Sequence, residues 1–377
     1  MSAAWAERAG AAFDRFRTYD RALLLIALTL LAIGIVLSMA ASPAATARIR
    51  IEEAFYFAAR QAAYAGLGVI VMLAAASLDP RALRRLATIL AAIFLPLCAL
   101  AAWIGPEIKG AHRWFDFGLF SVQPAEILKP ALIVVWAWML SESMKHPGFP
   151  GRIVCIVLYG LAAAALMSQP DLGQTALLGL ALAPMLFLSG MAVRWLLGGA
   201  ALMVIAARAV YEFFPHARDR WDAFMGEPGF QVGRALDAIA AGGVFGRGPG
   251  EGVIKRGLPD AHADFVFAVA AEEFGLLASL GLIALFGVLA FRGLSRASRL
   301  NEPFEQLAAA GLITLMVGQA AIHIAVNLSW APAKGMTLPF ISFGGSSMIG
   351  TALAFGFCLS LLRDRPGAYL YAERRPE

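Results

Sequence analysis

The sequence predicts an all-α integral membrane protein of ten transmembrane helices, and three observations predict it. Of its 377 residues, 60% are hydrophobic and only 15% are charged, against about 25% charged in soluble domains. Ten apolar runs, each near the length of a bilayer crossing, alternate with mostly short polar segments. The basic residues of those segments fall mainly on alternate ones, as the positive-inside rule expects. The net charge of +5 is therefore a topology signal and no footprint of nucleic acid. Cys98, Cys155 and Cys358 all lie in apolar runs and show no CxxC spacing. That argues against a disulfide framework or a zinc site.

Residues 1–21 form a short polar segment with Arg8, Arg15, Arg17 and Arg21. The first run, 22–40, precedes ASPAATA, which resembles a signal-peptidase site. The run is longer than the roughly 7–15 residues of a signal-peptide core, so an uncleaved first span is expected. Further spans are predicted at 55–77, 86–104, 125–140, 153–167, 172–188 and 192–211. Residues 212–263 are the only long hydrophilic segment. The last spans are predicted at 264–291, 304–330 and 342–362, followed by a polar tail, 363–377. The segments on the side of the N terminus carry Arg81, Arg84, Arg85, Lys145, Arg152, Arg194, Arg292, Arg296, Arg299 and Arg363. The short loops opposite hold only Arg48, Arg50, Lys109, Arg113 and Lys334. Both termini are thus expected in the cytoplasm, with 212–263 outside between spans seven and eight. No internal repeat of the kind many transporters carry is visible.

Four external segments carry candidate chemistry. In IKGAHRWFDFGLFSVQPAEILKP (108–130), Lys109, His112 and Arg113 beside Trp114 and Phe115 suit an anionic headgroup; an interfacial belt explains them equally well. Glu126 and Lys129 are three apart and share a helix face, so a structural ion pair competes with a direct role. In SQPDLGQT (168–175), Asp171 is expected to cap the sixth span. In 218–243, Phe230, Ala235, Leu236 and Ile239 recur at helical spacing, predicting a short surface helix that presents Arg234, with Arg220 upstream.

Gly242, Gly243, Gly246, Gly248, Gly250 and Gly252 follow, matching neither the P-loop nor the dinucleotide fingerprint. Beside Lys255, Arg256, His262 and Asp264 at a helix start, they read as a loop that phosphate oxygens could approach. A plain Gly-rich linker is the competing reading. Asp264 at the lipid–water boundary is a candidate general base, or merely a first-turn carboxylate. Glu272 and Glu273 lie two turns deeper, about 12 Å along the helix, and read as a buried structural network. In NLSWAPAKGMTLPFISFGGSS (327–347), Lys334 lies outside and Ser346 opens the last span. That stretch is either a close-packing motif or an anion site.

Taken in order, KGAHRWFDFGLFSVQPAE, QPDLG, GVFGRGPGEG, LPDAHADFVFAVAAEEFG and PAKGMTLPFISFGGSS resemble the SEDS family of polytopic peptidoglycan polymerases. The resemblance covers about residues 21–362. The Ala333-Lys334-Gly335 turn resembles the cell-division branch more than the elongation branch. QVGRALDAIAAGG resembles alphaproteobacterial members of that branch. The resemblance implies a glycosyltransferase that polymerises lipid II at the outer face of the bacterial cytoplasmic membrane, at the septum. It places the family's essential aspartate on Asp264, as general base. It also implies a class B penicillin-binding protein and other divisome proteins as partners. Lys109, Arg113, Trp114, Lys129, Arg220, Arg234, Gly246, Gly248, Lys255, His262, Lys334 and Ser346 are the expected substrate contacts. Glu126, Glu272 and Glu273 are expected to be structural. A divalent cation, magnesium or manganese, could assist, although no metal-ligand spacing demands one. Ala263, Phe343 and Phe230 stand where the family commonly has hydroxyl-bearing residues, so no hydroxyl role is expected there. The competing readings are a lipid II transporter, an elongation-type polymerase and a non-catalytic divisome scaffold.

Overall fold

The computed structural model describes residues 18–107, 111–118, 121–213, 226, 229–332 and 335–363. Among them the apolar runs fold as helices: α1 (Arg21–Ile49), α2 (Tyr56–Ala76), α3 (Pro80–Ile104), α4 (Pro124–Lys145), α5 (Gly151–Met167), α6 (Leu172–Leu188), α7 (Val193–Phe213), α8 (Phe230–Gly242), α9 (Val266–Ala297), α10 (Pro303–Asn327) and α11 (Gly345–Leu362). A minimal hairpin, β1 (Phe115–Asp116) paired antiparallel with β2 (Ser121–Val122), precedes α4. Seven helices (α1, α2, α3, α4, α9, α10 and α11) are long and apolar enough to cross a membrane. The apolar helices α5 and α6 have 17 residues each, near the lower limit for a span.

The starts of several helices are written into their caps. Asp20 accepts from Ala22 N and Leu23 N at 3.0 and 3.1 Å. Asp79 accepts from Ala82 N at 2.7 Å, with Pro80 in the first turn. Asp171 accepts from Gln174 N at 3.3 Å. Each carboxylate satisfies a donor the helix leaves orphaned. α4, α10 and α11 form the centre, where Trp136, Phe355 and Phe357 are fully buried. Gly350 lets α11 press against the Glu126 carbonyl of α4, where a Cβ would clash. Leu25, Ile70, Ile89, Leu197, Ile283 and Phe291 point outward, the surface expected of a bundle solvated by lipid.

Three expectations change. α1 does not stop at residue 40: it runs through ASPAATA to Ile49, with Pro43 inside it. Thr46 Oγ1 bonds back to the Ser42 and Pro43 carbonyls at 3.0 and 3.2 Å in the turn that follows the proline. The predicted eighth span is broken: Gly275 has φ 78° and ψ −174°, and α9 continues beyond it to Ala297.

The third change explains the second. The glycine stretch is no loose external loop but folds back along α9 and satisfies the break. Arg247 N and Gly248 N donate to the Glu272 and Glu273 carbonyls at 2.9 and 3.0 Å. Beyond the break, Leu276 N and Leu277 N donate to the Gly243 and Val244 carbonyls at 2.9 and 3.3 Å. Inside a bilayer an unpaired backbone group costs several kcal/mol, so a broken span needs such a partner. Close contact requires glycine on both sides. Gly246 has φ 82°, and a Cβ there would strike the Glu273 carbonyl; a Cβ on Gly275 would strike Gly246 N.

Candidate functional site

Asp264 sits half-buried in the turn immediately before α9. Its N–H donates to the Asp260 carbonyl at 3.0 Å, and its carbonyl accepts from Asn327 Nδ2 at 3.2 Å. Asp260 holds φ 53°, the left-handed conformation that tightens this turn. Phe265, at the N-cap of α9, has no side chain that can cap, and Asn327 of α10 does so instead. Its Oδ1 accepts from Ala268 N at 3.1 Å. The site therefore rests on two helices.

Across from Asp264 runs the segment 335–343. A Cβ on Gly335 would lie 3.4 Å from Asp264 Oδ2 and 3.7 Å from Oδ1. Gly335 thus lies directly against the carboxylate. The two walls are tied together: Phe343 N donates to the His262 carbonyl at 2.9 Å, and Ser342 Oγ donates to the Ala263 carbonyl at 2.6 Å. His262 packs on Phe57 (ring centroids 4.2 Å apart) and Phe343 (5.3 Å). Arg60, one turn along α2 from Phe57, stacks on Tyr56 at 5.2 Å. It adds a cation at this end that the sequence reading passed over.

Behind these two walls stands a polar face of α10. Gln319, His323 and Asn327 are spaced by four, all buried. His323 Nδ1 meets the Met336 carbonyl at 2.7 Å; a carbonyl only accepts, so Nδ1 carries the proton. Gln319 Nε2 donates to Thr337 O and Oγ1 at 2.9 and 3.0 Å. Gln319 Oε1 accepts from Lys129 Nζ at 2.8 Å. Lys129 pairs with Glu126 at 3.0 Å, and Gln174 Nε2 also donates to Glu126, at 3.0 Å. This face went unread in the sequence, although polar residues at four-residue spacing inside an apolar helix are a legible signal.

The expected substrate contacts divide. His262 and Asp264 lie together in the turn before α9. Lys129 is not with them: it is buried among Glu126 and Gln319. Nor is Lys255, a correction of the phosphate-cradle expectation. Lys255 is buried against Glu273 and donates to the Ala40 carbonyl at 2.8 Å. Glu272 accepts from Val253 N, Ile254 N and Lys255 N at 2.7, 2.7 and 2.9 Å. Glu273 also accepts from Gly250 N at 3.0 Å. Gly246 N donates to the Gly242 carbonyl at 2.8 Å. The amides of Gly246, Gly248 and Gly250 thus serve the chain itself, leaving no open nest for a pyrophosphate, because two buried carboxylates and a helix break needed those donors first.

Arg113 binds the 169–171 turn, donating to the Gln169 and Pro170 carbonyls at 3.1 and 2.8 Å, with Asp171 at 3.7 Å. Burial pushes the Asp171 carboxyl up, and the Arg113 charge opposes it. Ser346 donates to the Ser121 carbonyl and accepts from Gln123 N, both at 3.0 Å, tying the hairpin to α11. Arg234 is exposed on α8, 5.6 Å over the Phe230 ring. Trp114 is half-buried before β1. Lys109, Arg220 and Lys334 lie outside the described residues. Among the described residues no three His, Cys, Asp or Glu side chains gather to hold a metal ion.

Comparison with known proteins agrees with this architecture. Residues 20–366 match the cell cycle protein family of FtsW, RodA and SpoVE. The chain is 46% identical over 360 residues to the probable peptidoglycan glycosyltransferase FtsW of Caulobacter vibrioides, covering 93% of this chain and 91% of that one. A chain from a solved peptidoglycan synthase complex that coordinates polymerization and crosslinking superposes with a TM-score of 0.78 at 28% identity, covering 92% and 98%. The rod shape determining protein RodA of Thermus thermophilus superposes with a TM-score of 0.69 at 28% identity over the same shares.

Proposed function

The chain belongs to the cell cycle protein family of FtsW, RodA and SpoVE and is a peptidoglycan glycosyltransferase of the membrane; from that premise we propose that it polymerises lipid II with Asp264 as general base. The observation that carries the role of Asp264 is its placement: a half-buried carboxylate at a helix mouth, held through its main chain by Asn327 and set against Gly335. The carboxylate takes the proton from the 4-hydroxyl of the acceptor sugar. That oxygen forms the new bond to C1 of the donor as the bond from C1 to the polyprenyl pyrophosphate breaks. The basic residues that would meet the leaving pyrophosphate are Arg60 and Arg234, together with Lys109, Arg220 and Lys334.

The chain crosses the membrane ten times with both termini in the cytoplasm. The two ends of the bundle support that assignment. Asp264, Asp171 and Gln123 gather at one end. At the other, Asp20 meets Arg292, and Lys145 meets Glu302 at 3.3 Å. The Asp264 end faces outward, in the bacterial inner membrane at the septum. Crosslinking is supplied by a class B penicillin-binding protein.

The test uses the purified full-length chain with its transpeptidase partner and lipid II. Wild type forms glycan strands and Asp264→Asn forms none above background; equal strand formation by the two refutes the general base. Movement of lipid II across liposomes without strand formation would favour a transporter.

A further inference from the structure

We infer that Gln319, His323 and Asn327 are positioning residues for glycosyl transfer, which set the gap between the Asp264 carboxylate and the Gly335 wall. The inference rests on the reading of Asp264 as the base and adds residues that act through it.

Buried polar side chains in a membrane helix commonly glue one helix to another. These three do something narrower. Each bonds main chain of a segment flanking Asp264. Asn327 takes the Asp264 carbonyl at 3.2 Å and Ala268 N at 3.1 Å. His323 takes the Met336 carbonyl at 2.7 Å, and Gln319 takes the Thr337 carbonyl at 2.9 Å. One helix face thus grips both walls: the first by the residue that bears the carboxylate, the second one and two residues beyond Gly335. A rigid element holding both sides fixes their separation. The ladder is itself held, because Gln319 Oε1 receives Lys129 and Asn327 Nδ2 also donates to the His323 carbonyl at 2.9 Å.

That separation matters to the chemistry. A general base must sit about 2.6–3.2 Å from the oxygen it deprotonates. An error of about 1 Å can cost on the order of 100-fold in rate. Gly335 is the second half of the device: a methyl there would rest at 3.4 Å on the carboxylate, on the side the ladder positions. The arrangement also accounts for three buried polar side chains in the otherwise apolar stretch 315–327 of α10, which would be costly without a function.

The experiment measures kcat, KM, the pH dependence of kcat and thermal unfolding for lipid II polymerisation by the purified chain with its partner. His323→Leu removes the grip on Met336, while His323→Asn keeps an N–H donor near Nδ1. Gly335→Ala narrows the gap without removing a bond. Thr314→Val, on the same helix and bonding only the Ala310 carbonyl of its own turn, is the control. His323→Leu and Gly335→Ala are expected to lower kcat by ~10- to 100-fold, with KM within about 2-fold and the acid limb of the pH profile shifted. His323→Asn restores most of the rate, and Thr314→Val matches wild type. Wild-type kcat in both His323→Leu and Gly335→Ala overturns the inference. So does a kcat loss that merely tracks the folded fraction. If His323→Leu fails to fold, Gly335→Ala and His323→Asn decide. Asp264→Asn runs alongside: activity there refutes the base itself, whereas an inactive Asp264→Asn with intact ladder variants refutes only the positioning role.

Discussion

Glu272 and Glu273 follow Asp264 by less than three turns of chain, yet the two places do opposite work. The glutamates are buried, and their carboxylates are spent on three backbone amides from Val253 to Lys255, the Gly250 amide and the Lys255 ammonium. They rivet a folded-back loop onto a broken helix. Asp264 is half-buried and is pinned through its main chain, so that its carboxylate is aimed by neighbours. A carboxylate in a membrane span is costly wherever it stands. What separates a rivet from a reagent is how its partners are spent, and only the folded chain reveals that.

The comparison breaks most forcefully at the rivet. Glu273→Gln leaves the Lys255 ammonium buried without its counter-charge, which costs about 3–5 kcal/mol. Thermal unfolding in detergent should show it as a large drop in Tm. Adding Lys255→Met to Glu273→Gln removes both charges while the amide oxygen can still accept from Gly250 N, and most of that loss should return. A double variant no more stable than the single one contradicts the pairing. Gly246→Ala comes next. Its φ of 82° and the Glu273 carbonyl against it predict a loss of about 1–3 kcal/mol, read by the same unfolding; wild-type stability would mean that the loop does not lie on α9.

The smallest effect lies at the far end of the bundle and concerns pH. Burial raises the Asp20 carboxyl, but the Arg292 hydrogen bond, the Leu23 amide and the charges of Arg292 and Arg296 outweigh it and hold it below the usual range. A lowered folded-state value means stability that is complete above the unfolded value, about 3.9, and lost as pH falls through the folded one. The Tm difference between wild type and Asp20→Asn should therefore be constant from about pH 7 to 5 and shrink below about pH 4. A difference that persists unchanged to lower pH would assign Asp20 a capping role alone.

Much of this was legible in the residues. The apolar runs fixed where the helices lie, and the Asp171 cap and the Glu126–Lys129 spacing were readable from i to i+3 geometry. Asp264 stood out because charge at a helix mouth beside glycines is locally visible. The clamp was not legible. Its bonds join residues 243–255 to 272–277, and no periodicity reports which backbone amides a distant carboxylate will consume. The glycines were correctly seen to allow close approach, but the approach is to the chain's own helix. The break at Gly275 was hidden because an isolated glycine in an apolar run usually continues the helix. The Gln319, His323 and Asn327 face had a spacing that could be read, while its partners at 336 and 337 come from an irregular segment.

Placing Asp264→Asn beside Glu273→Gln, with kcat for lipid II polymerisation and Tm measured on the same preparations, tests the central claim most directly. The account predicts a crossed result: Asp264→Asn keeps its Tm and loses polymerisation by ~100-fold or more, while Glu273→Gln loses Tm and keeps most of its rate per folded molecule. An Asp264→Asn protein that polymerises like wild type, or that loses Tm as Glu273→Gln does, would contradict it.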